Sequence, residues 1–81
     1  MNSRRELEFA IFCIENVAVH LKMNAQAVYQ MLTEGSNILF DYIVPEYEML
    51  HTQSKDYIVR DIVEVMREEG VFIPHRFMSR R

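Results

Sequence analysis

The residues from Ser36 to Glu69 constrain the fold most, because apolar side chains recur there at helical spacing and a single proline interrupts the pattern. Pro45 lacks a backbone donor and disfavours the helical conformation at Val44. We therefore expect one kinked helix or two short helices over residues 37–51. Gly35 is predicted to end the preceding helix in a left-handed conformation, with Ser36 capping the next helix.

The most regular helix is predicted to begin after Ser54, a good N-cap residue, and to end at Gly70. Its apolar side chains form one stripe, consisting of Ile58, Ile62, Val65 and Met66, widened by Val59 and Val63. If Gly70 closes the helix in a Schellman motif, Val71 should pack against Met66.

Two further helices are predicted before this stretch. The first begins near Ser3, with Glu6 at the capping-box position, and the second runs from the N-cap Asn24 to about Glu34. The inward stripe of the first helix is predicted to be Leu7, Ala10, Ile11, Ile14, Val17, Ala18 and Leu21. Additional apolar residues, Phe9, Phe12 and Cys13, widen this stripe beyond half of the helix circumference.

These patterns predict an all-α fold, a compact bundle of four main helices in which the third is kinked or split at Pro45 and a short extended C-terminal tail follows. At 81 residues the chain is expected to form a single helical domain, with its core in residues 4–71 and its tail in residues 72–81.

The hydrophobic content of 49% is more than one small core readily hides, so we expect a protein partner or a second copy, as in a homodimer. The interface is predicted on the outer face of the first helix together with the tail, at Phe9, Phe12, Val71, Phe72 and Ile73.

The charge distribution disfavours a phosphate backbone as the partner. Between Glu6 and Glu69 the chain holds twelve acidic and four basic residues, a net charge of −8, although the whole chain carries −3. The alternative is a helix-turn-helix nucleic-acid regulator that reads base edges with Gln26 and Gln30. Residues 24–34 contain no Lys or Arg for phosphate contacts.

No catalytic, cofactor-binding or metal-binding set of residues is predicted, so we expect a protein that is not an enzyme. Cys13 and His20 lie two helical turns, about 10 Å, apart. The histidines lack the paired spacing of metal sites. Cys13 is the single cysteine, which excludes an intramolecular disulfide. It lies inside an apolar run, residues 9–14, which predicts a buried thiol and is too short to span a membrane. A cytoplasmic location is the expectation.

Four side chains are predicted to form a polar junction between helices: Tyr42, Tyr47, His51 and Thr52. Buried tyrosines usually place the ring in an apolar contact and the hydroxyl at a polar partner, which favours a role in joining two helices. The same groups could instead form a polar binding pocket, or an active site around Tyr47 and His51.

The sequence also resembles a family of small bacterial proteins catalogued as domain of unknown function 3791. The resemblance covers about residues 6–71 and is most specific in four stretches: FCIENVA, VYQMLTE, DYIVPEYEMLHTQS and YIVRDI. It implies a stand-alone helical protein with no assigned activity. It further implies a companion or antitoxin-like role beside a neighbouring protein similar to ADP-ribosyltransferase toxins.

Overall fold

A computed structural model describes residues 4–71, and every regular element in this range is a helix. In chain order the elements are α1 (Arg4–Leu21), α2 (Ala25–Thr33), a π-helical segment (Leu39–Ile43), α3 (Tyr47–Leu50) and α4 (Lys55–Glu68). The predicted all-α bundle is confirmed, and the third predicted helix is split in two around Pro45. The expected cap at Ser3 lies outside the described residues.

Side-chain caps start two of the helices where the sequence predicted them. The Asn24 side chain accepts a hydrogen bond from the backbone N–H of Ala27 at 2.8 Å. The Ser54 hydroxyl accepts one from the backbone N–H of Tyr57 at 3.1 Å. Each cap satisfies a donor that the first helical turn leaves unpaired, and a cap of this kind contributes about 1 kcal/mol.

The end of α4 is the predicted Schellman motif. Gly70 has a φ of 78°, its N–H bonds the Arg67 carbonyl at 3.1 Å, and the Val71 N–H bonds the Met66 carbonyl at 2.9 Å. Val71 is half-buried against the hydrophobic core, as this motif requires of the residue after the glycine.

The same motif ends α1, although no glycine is present there. Lys22 has a φ of 58°, its N–H bonds the Val19 carbonyl at 3.2 Å, and the Met23 N–H bonds the Ala18 carbonyl at 3.0 Å. The left-handed conformation costs a residue with a Cβ about 1 kcal/mol. The packing of α2 against α1 outweighs this local cost, because only a tight turn brings the two helices together.

The end of α2 differs from the prediction, since Gly35 does not have a positive φ. Instead, the Gly35 N–H bonds the Gln30 carbonyl at 3.0 Å. The Ser36 hydroxyl donates to the Met31 carbonyl at 2.9 Å and accepts from the Ile38 N–H at 3.3 Å. Ser36 therefore joins the end of α2 to the start of the next helical turn, so a left-handed glycine is not needed there.

The conformation around Pro45 also corrects a prediction. Val44 was expected to leave the helical region, but its φ of −67° and ψ of −48° are helical. The Val44 N–H bonds the Leu39 carbonyl at 3.0 Å, a wide turn of the π type directly before the proline. A proline ring in an α-helix clashes with the carbonyl four residues earlier, and the wider turn relieves that clash without unwinding the chain.

The core is one cluster in which α1 contributes most. Two predicted members of its inward stripe, Leu7 and Ile11, are 47% and 46% exposed. The buried residues of α1 are Phe9, Ala10, Cys13, Ile14, Val17, Ala18 and Leu21. Apolar residues cover more than half of α1, so the positions of α2 and α4 decide which part becomes buried.

Candidate functional site

Four aromatic rings form a continuous series where the first half of α1 meets α3. Phe12 stacks beside Phe9, with ring centroids 6.3 Å apart and an interplanar angle of 20°. The Phe9 and Tyr47 rings meet edge to face at 5.3 Å. Tyr47 then stacks on His51 at 4.5 Å, with the planes 13° apart. The two ends of the series, Phe12 and His51, are exposed, whereas Phe9 is buried and Tyr47 is half-buried.

The rings border an open cleft of about 330 Å³. It is lined by Arg5, Glu8, Phe9, Phe12, Tyr47, His51, Gln53 and Ile58. We call this feature the aromatic cleft. Its aromatic walls can accept an apolar side chain, and ring faces can also hold a cation. Glu8 and Arg5 place one carboxylate and one guanidinium at its edge, where they can bind polar groups of a ligand.

The structure separates the residues predicted to form an interface. Phe12 is 38% exposed and lines the aromatic cleft. Phe9 was expected on the outer face of the helix, but it is only 9% exposed because it packs against Tyr47. Val71 is half-buried against the core. The other two predicted members, Phe72 and Ile73, lie outside the described residues. The interface itself stays a prediction.

The predicted polar junction divides into two places. Tyr47 and His51 lie together in the aromatic cleft. Tyr42 instead donates a hydrogen bond from its hydroxyl to the Asp61 carboxylate of α4 at 2.5 Å. Burial, together with the hydrogen bond and the charge of Asp61, raises the pKa of Tyr42 well above its usual range. Thr52 makes a local contact, donating to the backbone carbonyl of Met49 at 2.8 Å.

The residues of the nucleic-acid alternative lie on another face. Gln26 and Gln30 are both exposed on α2. Gln26 borders a second open groove, of about 270 Å³, between α1 and α2. The apolar lining of this groove includes the exposed Ile11 and Tyr29. Neither glutamine is among the residues that line the aromatic cleft.

Cys13 is fully buried, as predicted. Burial raises its pKa to about 12, so the thiol is protonated near neutral pH and is a poor nucleophile. Within residues 4–71, no three His, Cys, Asp or Glu side chains are grouped so that they could hold a metal ion. In the same range, no helix has the length and apolar character needed to cross a membrane.

Sequence reasoning missed several residues of these contacts. Arg5 and Glu8 precede Phe9 and Phe12 by one turn, so helical spacing alone places them on the same side of α1. Asp61 lies beside the apolar stripe of α4, a position that indicates a half-buried carboxylate in need of a donor. Its partner could not be identified, because the two residues are 19 positions apart in the chain.

A family model described as "Protein of unknown function (DUF3791)" matches residues 8–69, which include α2, α3, α4 and most of α1. No curated protein and no solved structure matched the chain. Because the matched residues make up well over half of the sequence, the chain belongs to the family of proteins of unknown function termed DUF3791.

Proposed function

We propose that this protein is a non-enzymatic protein-interaction module and that the aromatic cleft is its interface. The observation that carries the proposal is the series of four rings, which leaves Phe12 and His51 exposed beside an open cleft. Aromatic side chains bury large areas and often dominate binding energy at protein interfaces. An exposed phenylalanine beside a cleft is therefore a suitable anchor point for a partner.

The chemistry of the cleft suits an apolar side chain flanked by polar groups. Its floor includes the buried side chains of Phe9 and Ile58. Glu8 and Arg5 at the edge offer one acceptor and one donor group of opposite charge. Such an arrangement, with an apolar centre and a polar rim, is typical of protein–protein interfaces.

The finer hypothesis concerns the partner. The sequence resemblance implies a companion role, in which the partner is a neighbouring protein similar to an ADP-ribosyltransferase and the chain acts like an antitoxin. A second copy of the chain is the other protein partner expected from its high apolar content. Both hypotheses use the aromatic cleft, and both predict a stoichiometric complex.

The test compares two phenylalanines with similar exposure on different elements. Phe12 lines the cleft and is 38% exposed, whereas Phe40 in the π-helical segment is 44% exposed and does not line it. The tagged wild-type chain, Phe12→Ser and Phe40→Ser are each used to capture proteins from the host lysate. We expect a stoichiometric partner with wild type and Phe40→Ser, and its loss with Phe12→Ser. Circular dichroism establishes that both variants are folded.

Two results would contradict the proposal. A partner that binds Phe12→Ser as well as wild type would exclude the cleft as the interface. Co-purifying DNA that salt removes, and that is lost when Gln26 and Gln30 are changed to Ala, would favour the nucleic-acid alternative. That alternative must obtain its phosphate contacts elsewhere, since α2 contains no basic residue.

A further inference from the structure

We propose that an exposed face of α1 binds the same face of a second copy of the chain, so that the two α1 helices lie antiparallel. The inference goes beyond the proposed function, because it concerns a different surface. Of the two partners considered for the aromatic cleft, it assigns the second copy to this face and leaves the cleft to a different protein. The face, which we call the α1 face, consists of Arg4, Leu7, Ile11 and Glu15.

The apolar centre of the α1 face has the spacing of residues that pack on another helix. Leu7 and Ile11 lie one turn apart on the same side of α1 and are 47% and 46% exposed. Beside Ile11 the open groove of about 270 Å³ separates α1 from α2, and the exposed ring of Tyr29 borders it on the α2 side. The face therefore offers a projecting side chain, Leu7, and a recess that can receive one. A two-fold dimer requires both on one face, because each copy presents the same surface.

The charged ends of the α1 face suit an antiparallel pair. Arg4 lies one turn before Leu7, Glu15 lies one turn after Ile11, and both charged side chains are exposed. A two-fold axis midway between Leu7 and Ile11 places Leu7 of one copy level with Ile11 of the other, at the edge of the groove. At a rise of 1.5 Å per residue, the same axis brings Arg4 of one copy to within about 1.5 Å of the level of Glu15 of the other, measured along the helix. Opposite charges therefore meet at both ends of the interface.

The charges fix the orientation of the pair, and the apolar centre supplies most of its affinity. Within residues 4–71, neither Arg4 nor Glu15 takes part in an ion pair, so both can pair with a second copy. Glu8 lies at the edge of the face near the axis, where its two copies repel each other, but two attractive pairs are set against this one repulsion. Exposed ion pairs contribute little to affinity and more to the choice of orientation.

The first experiment measures the dissociation constant of the dimer by sedimentation equilibrium of the full-length chain. Ile11→Ser should raise this constant at least about tenfold, because the deleted side chain occurs twice in the interface. The matched control is Val19→Ser, which changes a β-branched apolar residue of the same helix that is 75% exposed and borders α4 instead. Val19→Ser should leave the dissociation constant unchanged. Circular dichroism establishes that both variants are folded.

An exchange of charges tests the antiparallel arrangement. Arg4→Glu alone and Glu15→Arg alone should each weaken the dimer, and the double variant should restore it, because opposite charges then meet again. The two positions are about 16 Å apart along one helix, so restoration requires a contact between copies. Net charge alone predicts a different pattern. Arg4→Glu lowers the net charge by two, from −3 to −5, and would weaken the dimer, whereas Glu15→Arg raises it by two, to −1, and would strengthen it.

Each of four results would overturn the proposal. A wild-type chain that sediments as a monomer at every concentration, or a dimer that Ile11→Ser and Val19→Ser weaken equally, would exclude the α1 face. A dimer that dissociates in Phe12→Ser but not in Ile11→Ser would place the second copy in the aromatic cleft. A double charge variant no stronger than the single variants would exclude the antiparallel pair. None of these measurements uses a captured partner, so the proposed function and this inference can fail separately.

Discussion

Tyr42 and Tyr47 lie five residues apart on either side of Pro45, yet they join the chain to different helices by different means. Tyr42 uses its hydroxyl, which donates a hydrogen bond to Asp61 of α4. Tyr47 uses its ring, which lies between Phe9 of α1 and His51.

The difference shows how one short region can combine a structural contact with a binding surface. A hydrogen bond to a carboxylate is directional and has one partner, so the Tyr42 contact sets the position of the segment on α4. Ring contacts are less directional and leave other ring faces and edges open to a ligand. The Tyr47 contact therefore supports the fold and also forms a wall of the aromatic cleft.

The largest loss of stability is expected from a core residue that lies between Tyr42 and Tyr47 in the sequence. Ile43 is fully buried, so Ile43→Ala should lower the free energy of unfolding by about 2–5 kcal/mol. Urea denaturation measures the change, with Phe40→Ala, at an exposed neighbouring position, as the control. A loss as small as that of the control would show that the two contacts do not depend on this part of the core.

Removing the two hydroxyls separately sharpens the comparison. Tyr42→Phe should lower the free energy of unfolding by about 1 kcal/mol, since it deletes the donor to Asp61. Tyr47→Phe keeps the ring and should change it by less than about 0.5 kcal/mol. Urea denaturation of both variants gives the values. Equal losses would mean that the Tyr42 hydroxyl stabilises the fold no more than the Tyr47 hydroxyl does.

High pH should weaken the Tyr42 contact. The raised pKa of Tyr42 means that the folded state holds its proton more tightly than the unfolded state, where the value is near 10. Its stabilising contribution is therefore complete below that value and is lost as the pH rises above it. Burial of Cys13, which raises its pKa from 9.0 to about 12, acts in the same direction. When urea denaturation is repeated at increasing pH up to about 11, the free energy of unfolding should decline less for Tyr42→Phe than for wild type.

A smaller loss of stability than that of Tyr42→Phe is expected at the other end of the comparison. His51→Ala removes the ring that stacks on Tyr47 at an exposed site, and it should cost about 0.5–1 kcal/mol. The same variant should stay folded but capture less partner than wild type, because His51 lines the cleft. A variant with normal capture would restrict the interface to the Phe12 end of the cleft.

Much of the secondary structure followed from the sequence, and particular residues show why. The caps at Asn24 and Ser54 and the Schellman motif at Gly70 were all predicted where they occur. Each depends on hydrogen bonds within a few residues, so local sequence contains the needed information. Gly35 and Val44 were predicted wrongly, because the Ser36 hydrogen bonds and the wide turn before Pro45 offered local alternatives to the expected conformations.

Half of the candidate site was predictable. Four of the eight residues that line the cleft, Phe9, Phe12, Tyr47 and His51, were singled out from their types and spacing, but as members of two separate features. Nothing in the sequence indicated that the interface and the junction share one cleft, because the Phe9–Tyr47 contact joins residues that are far apart in the chain. Arg5 and Glu8 became relevant only once that contact was known.

The sequence by itself determined that the chain folds into helices, and it placed the caps at Asn24 and Ser54 and the Schellman motif at Gly70. Only the tertiary structure decided that Phe9 is buried while Leu7 and Ile11 are exposed. The physical reason is that hydrogen bonds at helix ends are local, whereas burial depends on which side of a widely apolar helix its neighbours cover. For α1, several rotations would satisfy the hydrophobic pattern, and packing against α2 and α4 selects one of them.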